Sequence, residues 1–161
     1  PGQVEFRHRQ FRLRRLQGTG LALFAGDGRL IWYRSHNYGT TERLKRAVPD
    51  ILKSIPDLIE LVIEGGGNLA NVWEKEAQRR GINLTRTFAE EWRQLFLYPR
   101  EQRSGTDAKR HAGEIARKVI NWAHASRPTA LRHDTAEAIM IGLWGLLHLG
   151  WLDALPKELQ R

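Results

Sequence analysis

This sequence of 161 residues contains no cysteine. That absence excludes disulfide bonds, cysteine-ligated zinc and thiol catalysis, and it fits a reducing compartment, so we expect a cytoplasmic location. No apolar run approaches the roughly 20 residues that a membrane-spanning helix needs, and the Arg-rich start lacks the apolar stretch of a secretory signal. Neither a membrane partner nor secretion is therefore expected. The run Gly65-Gly66-Gly67 lacks the Lys and Ser/Thr that follow such a run in a P-loop, which argues against nucleotide binding there.

Acidic residues are few relative to basic ones. Lys and Arg number 26 against 18 Asp and Glu, the net charge is +8, and 20 of the cations are Arg. Because a guanidinium group donates paired hydrogen bonds to phosphate oxygens, we expect a polyanionic partner, above all nucleic acid. On charge alone, a basic surface without such a partner stays an alternative. The apolar share of 41% and the charged share of 27% are typical of a globular protein.

Alternating apolar residues on both sides of Gly26-Asp27-Gly28 predict a β-hairpin over residues 19–38. A helix capped by Thr40 should follow, bent or interrupted at Pro49, and then a buried strand, Leu58–Glu64. The later pattern predicts a helix over 68–80 closed by Gly81, a strand over 82–88, a helix over 89–97, a polar loop over 98–105, a helix capped by Thr106 or Asp107, and a last, nearly all-apolar helix from about Asp134 to Trp151. This order predicts one mixed α/β domain over 1–161, in which residues 1–17 form an atypical Arg-rich N-terminal segment.

Three carboxylates stand out by their placement. Glu64 ends the buried strand, at the edge of the sheet where α/β folds bind ligands, while Asp134 and Glu137 share one face of the last helix. Together they could hold Mg²⁺, which prefers oxygen ligands, and paired ions of this kind assist phosphodiester cleavage. An alternative, common at helix starts, is that Asp134 is an N-cap and Glu137 its capping-box partner.

Several motifs together resemble those of RuvC-type Holliday-junction resolvases, which belong to the ribonuclease H-like superfamily. LVIEGGG at 61–67 resembles their second acidic motif, and HDTAEAIMIGLWG at 133–145 resembles their final one. TFAEEWR at 87–93, with the later Lys109, is similar to a Trp-Arg stretch and downstream Lys of phage and bacterial relatives. TGLALF at 19–24 resembles the segment after their first acidic motif. The similarity covers roughly residues 13–147.

This resemblance implies a ribonuclease H-like mixed sheet flanked by helices. It also implies metal-dependent cleavage of branched DNA by a homodimer, in which Glu64, Asp134 and Glu137 are catalytic and ligate Mg²⁺ or Mn²⁺. For contact with DNA, the interleaved aromatic and guanidinium groups of residues 92–103 suit base stacking and phosphate binding. The predicted nucleic-acid-binding residues are Trp92, Arg93, Arg100, Arg103, Lys109, Arg110 and Arg132. Packing at a helix end, or a solvated surface charge, is the alternative for each of them.

The sequence departs from this family at the first acidic motif. The family carries an Asp five or six residues before the Thr-Gly pair, where this chain has Arg14 or Leu13. A guanidinium at that position would repel the metal ions. Three explanations stay open: an inactivated relative that still binds nucleic acid or regulates, a rebuilt site that holds one ion, or an altered segment over residues 1 to about 17, such as a shifted reading frame produces. Whether the protein is an enzyme, and if so a Mg-dependent endodeoxyribonuclease, is left open by the sequence.

Overall fold

The computed structural model describes the backbone of residues 7–13 and all atoms of residues 18–161. Five strands form one sheet in the order β3-β2-β1-β4-β5. The strands are β1 (Arg7–Leu13), β2 (Thr19–Phe24), β3 (Leu30–His36), β4 (Leu58–Glu64) and β5 (Asn83–Thr87). β1 pairs antiparallel with β2 and parallel with β4, so the sheet is mixed, as the sequence predicts. The residue pattern did not predict β1 itself, because three of its seven residues are arginines.

The β2–β3 hairpin is confirmed. The strands pair antiparallel from Thr19 with His36 to Leu23 with Trp32. Gly28 in the connecting turn has a φ of 89°, a backbone conformation that glycine adopts at low cost. Alternation along β2 then sends Leu21 and Leu23 to one face of the sheet and Ala22 and Phe24 to the other, which is why the strand is buried throughout.

In residues 18–161, five α-helices cover the sheet. They are α1 (Thr41–Lys53), α2 (Asn68–Arg79), α3 (Ala89–Phe96), α4 (Gly105–Trp122) and α5 (His133–His148), with single 3₁₀ turns at Pro99–Gln102 and Lys157–Leu159. The apolar residues form two cores, one on each face of the sheet. α1 and α2 build one core with Leu61 and Ile63 of β4, while α3, α4 and α5 build the other with Val62. The molecule is therefore a three-layer α/β structure.

α1 begins after the Thr40 cap as predicted and continues past Pro49, so the helix is not interrupted there, and a bend at Pro49 stays a prediction. Two other predicted helix details need correction. The cap of α4 is Ser104, whose hydroxyl accepts a hydrogen bond from the Asp107 backbone at 3.0 Å, so neither Thr106 nor Asp107 is the cap. α5 ends at His148 instead of continuing to Trp151, because the chain turns at Gly150, where φ is 72°.

α5 lies unusually close to β2. A Cβ atom added to Gly20 would lie 2.0 Å from the backbone oxygen of Asp134, so only glycine allows this approach. Further along α5, Gly142 lies against the Phe24 ring in the same way. The start of α5 is thereby held against the start of β2. Within the described part of the chain, no helix is both long and apolar enough to cross a bilayer.

Candidate functional site

Glu64 is the last residue of β4 and lies on the α3–α5 side of the sheet. Alternation places it there, since Val62, two residues earlier, packs into the α3–α5 core. Its carboxylate accepts a hydrogen bond from the indole nitrogen of Trp92, with 2.7 Å between Oε2 and Nε1. Directly after it, Gly65 donates from its backbone to the Thr87 carbonyl at 2.8 Å, which keeps the ends of β4 and β5 together.

Asp134 is the second residue of α5, and its side chain is only 11% exposed. It accepts hydrogen bonds from the Ser35 hydroxyl at 2.6 Å and from the Thr135 backbone at 2.8 Å. Arg132 occupies the N-cap position, and its Nε lies 3.8 Å from the Asp134 carboxylate. The alternative in which Asp134 caps α5 and Glu137 completes a capping box is therefore wrong.

Glu137 lies one turn further along α5 and is almost completely buried, with a side-chain exposure of 1%. Its Oε1 lies 3.6 Å from Nη2 of Arg93, whose side chain is 21% exposed. A carboxylate removed from water in this way needs a positive partner or hydrogen bonds to stay ionised. Arg93 supplies a positive charge at close range.

The fold brings the three predicted carboxylates to the same end of the sheet. Trp92 and Arg93 are neighbours on α3, so their contacts link Glu64 to Glu137. The register of β1 links Glu64 to Asp134. Arg12 pairs with both Glu64 of β4 and Gly20 of β2, and Gly20 lies against the Asp134 backbone. Sequence reasoning therefore selected three acids that the fold gathers.

These acids do not form a metal centre in the part of the chain whose atoms are described. Among residues 18–161, no group of three or more His, Asp or Glu side chains is arranged to hold a metal ion. The β1 residue level with Glu64 is Arg12, and the strand ends at Leu13; neither residue type carries an oxygen ligand. The other predicted position, Arg14, lies outside the described residues. The described residues thus do not fit a two-metal site.

The prediction that Trp92 stacks on nucleic-acid bases is wrong. Its ring is 0% exposed and packs in the α3–α5 core, and its indole N–H donates a hydrogen bond to Glu64. Trp92 and Phe96 are four residues apart and share the buried face of α3. That spacing was the sequence signal for a core residue.

The other predicted nucleic-acid-binding residues differ in their exposure. Arg100 and Arg103 are exposed at the turn after α3, with Arg100 lying over the Tyr98 ring. Arg110 is 60% exposed but lies 3.6 Å from both Asp107 and Glu114, which offset its charge. Three further residues complete the set: Lys109 is half-buried on α4, Arg93 is engaged with Glu137, and Arg132 is 65% exposed beside Asp134.

Arg132, one of the predicted nucleic-acid-binding residues, belongs to a basic strip in the structure. We define it as four exposed cations on the end of α4 and on the segment leading into α5: Arg117, Lys118, Arg127 and Arg132. Residues 115–133 contain no Asp or Glu, although Arg132 lies 3.8 Å from Asp134, which partly offsets its charge. The segment that carries Arg127 is joined to β3 by Tyr33, whose hydroxyl donates to the Ser126 carbonyl. Burial raises the pKa of Tyr33, and the nearby Arg117 guanidinium opposes this effect.

Ser35 is a residue that sequence reasoning missed. Its hydroxyl donates to Asp134 although the two residues are 99 positions apart. The hairpin register contained a partial signal, since Ser35 pairs with Gly20, the residue that touches the Asp134 backbone. Arg132, at one end of the strip, lies 3.8 Å from the same Asp134 carboxylate, so the strip begins beside it.

Comparison with solved structures identifies the class of fold. T. thermophilus RuvC, in a complex with a Holliday junction substrate, matches with a TM-score of 0.61 over 91% of this chain and 97% of that chain, at 13% identity. The catalytic core domain of BIV integrase matches with a TM-score of 0.37 over 89% of this chain and 84% of that chain, at 10% identity. No protein-family profile and no curated protein matches the sequence. The protein has the ribonuclease H-like fold that the sequence predicts.

Proposed function

We propose that the protein binds branched DNA, above all four-way junctions, through the basic strip and the exposed arginines beside the three carboxylates. The observation that carries this proposal is the position of the strip, next to Asp134 at the end of the sheet where Glu64 and Glu137 also lie. The overall match to T. thermophilus RuvC, whose structure contains a Holliday junction, supports branched DNA over a plain duplex.

The charge distribution supports phosphate contact. The strip consists of four exposed cations in a stretch without acids, and the exposed Arg100 and Arg103 add two more. Phosphate binding by such groups releases counter-ions from DNA and makes affinity fall steeply with salt. A four-way junction has two equivalent pairs of arms, so we propose that two copies of the chain bind one junction.

A binding titration tests this function. Fluorescence anisotropy with a labelled four-way junction, a duplex of the same arm sequence and an RNA duplex would be measured at two salt concentrations. The expected result is tighter binding to the junction than to either duplex, with a strong salt dependence. Absence of binding to all three at low salt would contradict the proposal and favour a protein that uses the fold for assembly. Preference for RNA would replace branched DNA as the substrate.

Metal-dependent cleavage is a second candidate function. It is supported by the gathering of Glu64, Asp134 and Glu137 at one end of the sheet, and it is opposed by Arg12 and Leu13 at the end of β1. We propose that these carboxylates are the remaining part of a Mg²⁺- or Mn²⁺-dependent cleavage centre that lacks its β1 ligand. The chain should then bind junctions but cleave them poorly.

A further inference from the structure

Two consecutive residues of α3 contact two of the candidate carboxylates. Trp92 donates to Glu64 at 2.7 Å, and Arg93 lies 3.6 Å from Glu137. Nothing in the resemblance or in the proposed function assigns a role to these contacts. They place an uncharged donor at one carboxylate and a positive charge at the other.

The position of the Arg93 guanidinium is fixed by its surroundings. The Thr87 hydroxyl and the Phe88 backbone donate to Glu91 at 2.7 Å and 2.9 Å, which lowers the pKa of Glu91 and anchors the start of α3. The ring of Trp92 is fully buried, and the Arg93 guanidinium lies over it at 5.2 Å from the ring centre. Arg93 is therefore held near Glu137 by a rigid helix and an aromatic surface.

Charge compensation at Glu137 can come from either of two kinds of cation. A carboxylate with an exposure of 1% needs a positive charge close by. A divalent ion can supply it, because Mg²⁺ needs only one or two protein carboxylates and completes its shell with water. The two cations exclude each other, since a guanidinium beside the carboxylate repels an incoming ion at short range.

We infer that Arg93 is a built-in counter-ion of Glu137, which takes the place of a divalent cation and keeps the affinity of this site for such ions low. Trp92 has the matching role of holding Glu64 in place. This inference deepens the proposed function and rests on it for the role of the three carboxylates. It predicts that removal of one positive charge, with no new ligand added, creates divalent-ion affinity.

Calorimetric titration with Mn²⁺, in the absence of DNA, tests this inference. Wild-type protein should bind Mn²⁺ weakly, whereas Arg93→Gln should bind it at least about tenfold more tightly, because a short-range repulsion is removed. Arg93→Lys keeps the charge and should behave like wild type. Adding Glu137→Gln to Arg93→Gln should remove the gain. An Arg93→Gln variant that is folded and binds Mn²⁺ no better than wild type would overturn the inference.

A matched pair elsewhere in the molecule controls for a general effect of exposing a buried acid. On α2, on the opposite face of the sheet, Arg79 and Arg80 contact the buried Glu76 at 3.1 Å and 2.8 Å. Arg79→Gln/Arg80→Gln, which removes both cations, should not increase Mn²⁺ affinity, and an increase equal to that of Arg93→Gln would overturn the site-specific role. If Arg93→Gln does not fold alone, Mn²⁺ should restore its folding transition, and failure to do so would equally contradict the inference.

Junction binding measured on the same proteins without metal separates this inference from the proposed function. Absence of junction binding by the wild-type protein would reject the proposed function, whatever the result of the Mn²⁺ titrations. Unchanged Mn²⁺ affinity in Arg93→Gln, with normal junction binding by wild type, would reject only the counter-ion role of Arg93.

Discussion

The indole nitrogen of Trp92 donates a 2.7 Å hydrogen bond to the carboxylate of Glu64, and the ring that carries it is completely buried. A hydrogen bond from a rigid ring fixes both the position and the orientation of the acceptor. Glu64, at the end of β4, is thereby tied to α3, which also carries Arg93. Trp92 was expected to face nucleic acid; it is instead a buried donor that positions Glu64.

A double-mutant cycle tests this relationship. Trp92→Phe keeps the ring in the core but removes the donor, and it should lower the free energy of unfolding by about 1–3 kcal/mol, as expected for a hydrogen bond to a charged group. Combined with Glu64→Gln, the two effects should not add. Urea unfolding of the four proteins measures the coupling.

Trp122 provides the control for this cycle. It is half-buried at the end of α4, so Trp122→Phe makes the same chemical change away from Glu64. Trp122→Phe and Glu64→Gln should have additive effects on stability. Because Gln keeps an acceptor oxygen, additivity in the Trp92 cycle as well would show that the charge of Glu64 does not strengthen the hydrogen bond.

The misassignment of Trp92 shows where sequence reasoning reached its limit. Arg93 follows it directly and Arg100 and Arg103 come later in the chain, and an aromatic residue interleaved with arginines matches a nucleic-acid-binding pattern. The spacing of Trp92 from Phe96 matches a buried helix face equally well. The local sequence does not decide between a nucleic-acid-binding residue and a core residue. The deciding fact is the packing of α3 against α5, which depends on residues more than 40 positions away.

Elements that depend on local patterns were predictable, whereas contacts between distant segments were not. The hairpin followed from a glycine turn between alternating strands, and β4 followed from its apolar run. The Ser35–Asp134 contact depends on how α5 crosses β2, and nothing local to either residue encodes it. The three acids could be chosen from their placement at a strand end and on one helix face, and the motif resemblance added the long-range information that groups them.

The close approach of α5 to β2 predicts a strong effect of a single methyl group. In Gly20→Ala, the added Cβ would meet the backbone oxygen of Asp134 at 2.0 Å, and a backbone atom cannot move aside cheaply. We expect destabilisation of about 3 kcal/mol or more, since overpacking against backbone exceeds the usual 1–3 kcal/mol. Gly113→Ala, on α4 with open space around it, should instead stabilise by roughly 0.5–1 kcal/mol. Thermal unfolding of both variants makes the comparison, and equal effects would show that α5 is not held by this contact.

The ion pair of Glu101 with Arg161 predicts a pH dependence of stability. Glu101 is 6% exposed, and the hydrogen bonds from Arg161 are the main cause that lowers the pKa of its carboxyl to about 2. A lowered pKa stabilises the folded state above the ordinary carboxyl pKa, and this contribution is lost as the pH falls toward 2. Arg161→Gln should therefore destabilise the folded state by about 1–3 kcal/mol near pH 7, because it removes the main partner of a buried carboxylate that keeps the Tyr98 backbone donor and His111.

The difference between wild type and Arg161→Gln should shrink as the pH falls from the ordinary carboxyl range toward 2. Urea unfolding at a series of pH values measures it, and Arg46→Gln, an exposed arginine on α1, serves as the control with no such trend. A constant difference between pH 7 and pH 3 would contradict the assignment of this stability to the Glu101 charge.

The basic strip predicts a change in the salt dependence of DNA binding. The double variant Arg127→Glu/Arg132→Glu should weaken junction binding and reduce the slope of log K against log salt by about 2, since each lost phosphate contact removes roughly 0.9 from it. Arg43→Glu/Arg46→Glu, which changes two exposed arginines on α1 across the sheet, should leave the slope close to that of wild type. Arg100→Glu/Arg103→Glu should also weaken binding if the turn after α3 contacts DNA. Equal losses in all of these variants would point to net charge alone and against a defined interface.

The final prediction concerns the position where RuvC-type resolvases, whose motifs the sequence resembles, carry their first Asp. Leu13 ends β1, one residue after Arg12, whose backbone is level with Glu64; Arg14 lies outside the described residues. With Mg²⁺ or Mn²⁺ the chain should cleave four-way junctions very poorly, since two metal ions need a carboxylate there. Leu13→Asp or Arg14→Asp should add cleavage, and Glu64→Gln should abolish it in either variant, as a gel assay of end-labelled junctions would show. Arg7→Asp, at the opposite end of β1, makes the same charge change as Arg14→Asp and should add none.

Strong cleavage by the unaltered chain would mean that another acid completes the centre. Inactivity of every variant, with tight junction binding, would instead identify a dedicated binding protein.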